Sequence, residues 1–514
     1  MDKTKLASCH RPRVPILLPL SKPSQSSPSS QTLERLERYC RRDDEPFRDI
    51  SLSKDLVGWR LSTHIFPAAY PRSIRGSASA SSSSSSSRPL RVRSFEKSVE
   101  AANGASAARK LRKEISEAQR TQPGVKVEEP QLFVCLNRYY RKEGVRGDRP
   151  TGKNDEGQHP TLTLLLAHAN GFHKETWEPT LAQLLVSPAG RRVEEVWSFD
   201  AVNHGDSALI NDGNLTYLFD WADMARDMLQ FVLLYLPDRS KINETLPKVL
   251  ESTDQRFLQS EFLMLDRAPV LKSTKTLSID VRRRIEGLRD RNLTWIGHSM
   301  GGCAAGLAGT SLPELFEELV LIDPVMGIHN EQWHQHTSDL ASLTTRRRDS
   351  WSNREEAGSK LRSNVEFFGR WNPSALNRYI KFGMIEKDFF RGIDQDGGTG
   401  SITLKCDRLS EASVFVDPFF RYQDFYHRLA KLSNDEPRGL NWSFIFAGPN
   451  RSVVQESIIN DHQGFSKNLK SVRRIDGAGH LIVQEKPIEL GTEISRLLSD
   501  DHRRSKVFLQ STKL

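Results

Sequence analysis

Apolar positions follow two regimes along the chain. Up to about residue 127 they are sparse and lie scattered among Ser, Arg and Pro. Beyond that point they gather into short blocks with helix-like stretches between them. Leu132 to Tyr140 reads as a strand. Leu162 to Ala167 is an unbroken apolar block, as expected of a strand buried on both faces of a parallel sheet. Val193 to Phe199, Leu293 to Ile296, Leu319 to Ile322, Trp442 to Ala447 and Val472 to Ile475 are further strand candidates. Leu218 to Leu236 carries Met and Leu at helical spacing, a stripe that fits core packing rather than a cofactor site. Residues 237–275 read as an insertion, and Ile279 to Asp290 as a charged helix. Strands alternating with helices predict an α/β domain on a mainly parallel, doubly wound sheet.

The pattern also sets boundaries. Residues 1–127 read as a disordered, basic, Ser-rich extension that includes the run Ser81 to Ser87. Such a segment buries too little apolar surface to offset its ordering entropy. Within it, Phe95 to Arg120 has the composition of a solvated helix. Residues 128–327 and 441–498 form the predicted core, 328–440 an inserted cap or lid, and 499–514 a C-terminal tail.

Charge sharpens this division. The net charge is +9, but residues 1–130 hold 24 Lys and Arg against 14 Asp and Glu, and the rest holds 50 against 51. The predicted domain is therefore near neutral, so nucleic acid is not an expected partner for it. Contact of the basic tail with RNA or an anionic membrane is compatible with its charge but has no motif behind it. Cys9, Cys40, Cys135, Cys303 and Cys406 are scattered and form no C-x-x-C pair. They indicate neither a disulfide framework nor a metal site, and they fit a reducing compartment. No apolar stretch approaches the ~20 residues of a transmembrane helix. The run Val14 to Leu20 is broken by two prolines and makes a poor secretory signal.

The chemistry is concentrated in Gly297-His298-Ser299-Met300-Gly301-Gly302, which follows a predicted strand and precedes the small-residue stretch Cys303 to Ala308. G-x-S-x-G in that context predicts a serine on a tight strand-to-helix elbow. A serine nucleophile needs a base, an acid to orient the base, and donors for an oxyanion. In an elbow of this type the order along the chain is nucleophile, acid, histidine. His480, in Gly477-Ala478-Gly479-His480 after the last predicted strand, is the candidate base. The acid has two candidates. Asp323 leaves the strand that ends at Ile322. Glu456, the runner-up, lies beyond Gly448-Pro449-Asn450-Arg451-Ser452, where a carboxylate would be expected and none stands. Oxyanion donors are expected from the backbone of Met300 and from Asn170, in the loop His168 to Phe172. His168 reads as a brace for that loop. Asp200 and Asn203 to Ser207 read as a tight turn near the site, with His204 not expected to be catalytic. No cofactor or metal is expected.

Together these residues resemble the α/β-hydrolase superfamily. The resemblance covers about 130–498 and rests on the elbow, the upstream His168-Ala169-Asn170-Gly171-Phe172-His173-Lys174-Glu175-Thr176-Trp177, the segment Asp200 to Ser207, and Gly477 to Pro487. It implies an α/β-hydrolase fold with a helical cap. Within the superfamily the chain resembles a fungal group of peroxisomal hydrolases that includes a yeast peroxisomal lipase and proteins of AK-toxin biosynthesis. The absent acid after the later strand resembles the branch, including haloalkane dehalogenases, whose acid follows the preceding strand; this favours Asp323. The resemblance implies hydrolysis of carboxylic esters, lipid esters or thioesters through a Ser-His-Asp triad and an acyl-enzyme. Two alternatives stand beside it: a carbon–carbon bond hydrolase with the same triad, and a catalytically silent binding protein on this fold. Cap aromatics Phe367, Phe368, Trp371, Phe382, Phe389 and Phe390 are candidates to cover an acyl chain. The last residues, Thr512, Lys513 and Leu514, resemble the S-K-L address read by the peroxisomal import receptor. Peroxisomal localisation is therefore expected, and cytoplasmic localisation without such import.

Overall fold

The computed structural model describes residues 20–25, 27–40, 53–72, 130–141, 161–215, 219–253, 291–390, 400–417, 419–435, 440–460 and 469–499, with Leu17, Arg42, Phe47, Ile50 and Leu288 as single positions. The Ser81 to Ser87 run, the stretches Phe95 to Arg120 and Ile279 to Asp290, most of the 237–275 insertion and the C-terminal tripeptide lie outside the described residues.

The strand pattern of the sequence is realised with shifts of a few residues at most. The strands are β1 (Trp59–Pro67), β2 (Phe133–Arg141), β3 (Leu162–Ala167), β4 (Val193–Phe199), β5 (Asn292–His298), β6 (Glu318–Ile322), β7 (Ser350–Trp351), β8 (Met384–Glu386), β9 (Ile402–Leu404), β10 (Asn441–Ala447) and β11 (Leu469–Ile475). Eight of them form one sheet in the order β1-β2-β4-β3-β5-β6-β10-β11. It is parallel from β4 to β11 and antiparallel at the β1-β2-β4 edge. β3, β5 and β6 are buried along almost their whole length, which is why they read as unbroken apolar blocks. One core cluster gathers around Trp221–Gln230 and Met300–Ser311, and another around Glu178–Leu185 and Pro487–Ser499. The two clusters cover the two faces of a doubly wound sheet.

Two expectations about organisation need correction. The first concerns the N-terminal extension. Part of it is integral to the fold: β1 pairs with β2 over nine residues, from Trp59 opposite Arg141 to Pro67 opposite Phe133. Leu17, Leu20, Leu36, Phe47, Leu61, Ile65 and Phe66 are buried. The polar residues on and beside this strand are themselves satisfied inside. Thr63 Oγ1 donates to Asn137 Oδ1 at 2.9 Å, and Asn137 Nδ2 donates to Glu175 Oε1 at 2.9 Å. Arg42 Nη1 lies 2.6 Å from Glu178 Oε1, and Arg72 Nη1 2.5 Å from Asp227 Oδ1.

The second correction concerns the end of the cap. Between β6 and β10 stand the helices Glu331–Arg346, Arg354–Ser363, Pro373–Phe382, Arg408–Val416 and Arg421–Asp435, with β7-β9-β8 as a small antiparallel sheet. The last helix belongs to the core rather than the cap. Its Phe425 packs where Gly306 of Met300–Ser311 has no side chain; a Cβ on Gly306 would sit 2.1 Å from the Phe425 ring. The chain therefore returns to the core near 421, about twenty residues earlier than the pattern predicted.

Candidate active site

Ser299 stands between β5 and the helix Met300–Ser311, at φ 56° and ψ −117°. This is a strained conformation for a residue with a side chain. Its N–H donates to Ile322 O of the neighbouring strand at 3.0 Å, and its carbonyl accepts from Val325 N at 3.1 Å. The turn is so tight that the flanking glycines are required. A Cβ on Gly297 would lie 2.4 Å from Gly301 O, and one on Gly301 would lie 2.5 Å from Ala167 O. The elbow therefore presses directly on the end of β3, where the loop His168 to Phe172 begins.

His480 arrives from the loop after β11. Its Nε2 lies 2.9 Å from Ser299 Oγ, and its Nδ1 lies 2.6 Å from Asp323 Oδ2. Asp323 is fully buried at the end of β6 with φ 38°. It also accepts from Ala447 N at 3.1 Å, Ser452 Oγ at 2.6 Å and Val453 N at 3.2 Å. Burial raises its carboxyl, but the His480 ring and the Ser452 and Ala447 donors outweigh burial and hold it below the ordinary value. It is thus an anion at neutral pH, matched to an imidazole N–H. Glu456 is placed differently. Its carboxylate is held by Arg474, with Nη2 2.5 Å from Oε2, and accepts Asn450 N at 2.9 Å. Of the two candidate acids, only Asp323 is joined to His480.

The oxyanion candidates flank the serine. Met300 is the first residue of its helix, where an N–H has no acceptor within the helix. In the His168 to Phe172 loop, the Gly171 N–H donates to His204 Nε2 at 3.0 Å and the Phe172 N–H to Ala169 O at 3.2 Å. Among the described residues the Asn170 N–H has no such partner. The Asn170 side chain serves the cap, with Nδ2 donating to Glu411 O at 3.0 Å.

His168, His204 and His298 are buried and hydrogen-bonded within the fold. His168 Nδ1 donates to Ala169 O at 2.8 Å and its Nε2 accepts from Ala201 N at 3.1 Å; burial pulls it down to about 4, so it is neutral. His204 is likewise held well below its ordinary value by burial. His298 has a supporting role that could not be read from its place in the motif. Burial lowers it to about 3, and its Nε2 donates to the carbonyl of His480 at 2.8 Å. The residue preceding the serine thereby fixes the loop that delivers the histidine. Its partner is 182 residues away, so spacing gives no signal of this contact.

A buried ion cluster braces the wall beside the His168 to Phe172 loop. Lys174 Nζ contacts Asp200 Oδ2 at 2.8 Å, Glu175 Oε1 at 3.1 Å and Asp206 Oδ2. Lys405 of the cap reaches Asp206 Oδ1 at 2.5 Å. This is the physical content of the predicted turn at Asp200 and Asn203 to Ser207. The cap is tied down further where Arg370 Nη2 meets Glu485 Oε2 at 2.9 Å; the same oxygen accepts Gly479 N, next to His480, at 2.7 Å. Of the cap aromatics, Trp371 packs on Phe172 of the His168 to Phe172 loop at 5.5 Å, with Phe367 and Phe368 beside it. Phe382 and Phe389 face elsewhere. Phe382 stacks under Arg42 and Phe389 packs edge-on against Tyr39, so both seat the N-terminal segment and not a substrate. The Phe390 side chain lies outside the described residues.

Residues 164–490, more than half of the chain, match the Alpha/beta hydrolase family. The chain belongs to this family. It is 27% identical over 250 residues to the peroxisomal membrane protein LPX1 of Saccharomyces cerevisiae, covering 46% of this chain and 51% of that one. The chain thus spans about half the length of that relative. It is 26% identical over 225 residues to the abhydrolase domain-containing protein AKT2 of Alternaria alternata, covering 40% of this chain and 82% of that one. It is 24% identical over 234 residues to the type I acyl-CoA thioesterase mpaH of Penicillium brevicompactum, covering 45% and 40% respectively. The structure of the yeast peroxisomal α/β-hydrolase Lpx1 superposes with a TM-score of 0.51 at 19% identity, over 85% of this chain and 88% of that one. That likeness establishes the fold. Among the described residues no helix is long and apolar enough to cross a membrane.

Proposed function

We propose that this α/β hydrolase is a serine hydrolase that cleaves carboxylic esters or thioesters through an acyl-enzyme. The observation that carries this reading is the unbroken hydrogen-bonded chain from Asp323 through His480 to Ser299, at 2.6 and 2.9 Å. Ser299 Oγ attacks the substrate carbonyl while His480 Nε2 takes its proton. Asp323 keeps the Nδ1–H directed at itself and stabilises the imidazolium. The oxyanion is held by the N–H groups of Met300 and Asn170, where each donor is worth about 3 kcal/mol of transition-state stabilisation. The proton then goes to the leaving alcohol or thiol, and water repeats the sequence on the acyl-enzyme. The thioester arm is supported by the acyl-CoA thioesterase among the relatives.

The test is hydrolysis of p-nitrophenyl esters of increasing chain length, run in parallel with an acyl-CoA series. The two candidate acids separate cleanly in this assay. Asp323→Asn is expected to lower kcat by on the order of 10⁴-fold, because an amide in this position favours the wrong imidazole tautomer. Glu456→Gln removes the charge opposite Arg474, away from His480, and is expected to keep kcat within about twofold. Equal losses in the two variants would remove Asp323 from the role of acid.

The same proposal places the protein in peroxisomes, supported by the yeast relative's name and by Thr512-Lys513-Leu514. A fluorescent protein fused ahead of the full chain is expected to be punctate and to colocalise with a peroxisomal marker. Removing the last three residues is expected to make it diffuse. Unchanged puncta after that deletion would transfer targeting to another segment.

A further inference from the structure

The loop His168 to Phe172 is gripped from two sides. From the core, the Gly171 N–H donates to His204 Nε2 at 3.0 Å. From the cap, a single residue, Glu411, meets the loop with both its main chain and its side chain. Its carbonyl accepts Asn170 Nδ2 at 3.0 Å. Its carboxylate lies where Gly171 has no side chain: a Cβ there would stand 2.8 Å from Oε1 and 3.0 Å from Oε2. Gly171 has φ 80°, so the backbone and the contact both call for glycine at this position.

Glu411 stands in the first turn of Arg408–Val416 and is 4% exposed. Asp407 fixes that turn, its Oδ1 accepting Leu409 N at 2.8 Å and Ser410 N at 3.2 Å. The Glu411 carboxylate is held by Arg347, which follows the helix Glu331–Arg346. Nη1 lies 2.8 Å from Oε1, and Nη2 pairs with Oε2. A two-point guanidinium pair fixes orientation as well as distance. Arg347 is the inward one of three consecutive arginines. Arg346 turns back to Ser342 O of its own helix at 3.2 Å, and Arg348 reaches Glu356 at 2.7 Å on the surface.

An ion pair taken out of water is weak ground for stability, because desolvation of the charges offsets their attraction. The geometry gives this pair a different use. Asn170 is a candidate oxyanion donor, and a misplacement of about 1 Å at a reacting centre costs on the order of 10²-fold in rate. We propose that Glu411 and Arg347 are positioning residues. Their pairing presses Glu411 onto Asn170 and Gly171 and thereby holds the Asn170 N–H towards the developing oxyanion. The proposal rests on the serine hydrolase reading above. Both side chains act through the loop and not on the substrate, so the oxyanion hole is complete only with the cap seated.

The test compares the wild type with Arg347→Met and with the double variant Arg347→Met/Glu411→Gln on a p-nitrophenyl ester. Active sites are counted by fluorophosphonate labelling carried to completion. The double variant leaves no buried charge unpaired, which covers the case in which the single variant does not fold. In both, kcat per labelled site is expected to fall at least about tenfold, with KM within about threefold of the wild type. Arg347→Lys restores the charge without the fork and is expected to fall between them and the wild type; it decides the matter if neither of the others folds. Arg348→Met, which removes the neighbouring surface arginine, is expected to match the wild type. A trifluoromethyl ketone of the same acyl chain supplies a readout that a merely structural role would not move. Ser299 Oγ adds to its carbonyl carbon, the hydroxyl proton passes to His480 and the carbonyl oxygen becomes an oxyanion, so Ki should rise in step with the fall in kcat. Unchanged kcat and Ki in the folded variants would overturn the proposal. A rise in KM alone would overturn it in favour of a role in substrate binding, and a lower melting temperature with kcat per site intact in favour of structural support. A wild type that neither hydrolyses an ester nor takes the label overturns the serine hydrolase reading, and the proposal with it; wild-type turnover with intact variants overturns the proposal alone.

Discussion

Replacing Ser299 by Ala is expected to abolish ester hydrolysis, lowering kcat by on the order of 10⁴-fold or more, with the melting temperature close to that of the wild type. The size of the loss follows from what the side chain does. His480 Nε2 has Ser299 Oγ as its hydrogen-bond partner at 2.9 Å, and neither it nor Asp323 can form the acyl bond themselves. On the proposed reading the serine hydroxyl is therefore the single group through which the base and the acid act on the substrate. Removing it leaves only binding and oxyanion stabilisation. The fold should tolerate the change because Ala needs no more room than Ser. It inherits the same φ of 56°, and the backbone bonds from Ser299 N to Ile322 O and from Val325 N to Ser299 O persist. The measurement is steady-state hydrolysis of p-nitrophenyl butyrate together with labelling by a fluorophosphonate. Wild-type turnover with loss of both signals in the variant is the expected outcome. A variant that retains activity within tenfold would exclude Ser299 as the nucleophile and leave the Ser299–His480–Asp323 arrangement a structural motif.

What could be read from the sequence differs by element, for physical reasons. β3, β5, β6 and β10 were legible because a strand covered on both faces has no polar side to interrupt it. The elbow was legible because its steric demand is local: two glycines within two residues of Ser299, each with another backbone atom about 2.5 Å from the missing Cβ. The order of Ser299, Asp323 and His480 followed from strand order. Their mutual distances depend on β6 lying between β5 and β10, which periodicity does not encode. β1 was hidden by its neighbourhood. Trp59–Pro67 stands in a Ser- and Arg-rich segment, and its Ser62, Thr63 and His64 interrupt the apolar pattern. Each finds a partner in the fold: Ser62 and His64 with each other, Thr63 with Asn137, and His64 again with Pro247 O. The end of the cap was missed for a related reason. Arg421–Asp435 is rich in charged residues, and it is the burial of its Phe425 against Gly306 that assigns it to the core. His298 reaches a partner distant in sequence, so its environment becomes visible only when the chain is folded.

Deleting residues 1–72 is expected to abolish folding of the domain, although most of that segment has the composition of a tail. The edge of the sheet explains why. Without β1, nine residues of β2 lose their ladder, and a long antiparallel edge is left open to other chains. β1 also anchors a distant loop, with Ile65 N donating to Lys248 O and Leu250 N to Ile65 O, each at 2.8 Å. Leu17, Leu20, Trp59, Leu61, Ile65 and Phe66 are each no more than 3% exposed. Burial of such side chains contributes roughly 2 kcal/mol apiece, and together they rival the ~5–15 kcal/mol that stabilises a whole domain. The deletion also strips buried charges of partners, since Asp227 loses Arg72 and Glu178 loses Arg42. Phe66→Ala isolates one part of this in a chain that can still fold. Phe66 packs against Phe199, Phe231 and Tyr235 at 6.5, 5.3 and 5.4 Å between centroids, and its truncation should cost about 3–5 kcal/mol in urea unfolding. Soluble expression and circular dichroism check the deletion. A soluble deletion protein that melts at the wild-type temperature would mean that β1 adds nothing to the stability of the sheet. Insolubility of the deletion together with a measurable loss in Phe66→Ala would place the start of the domain ahead of Leu17, more than a hundred residues before the first apolar block that the pattern announces.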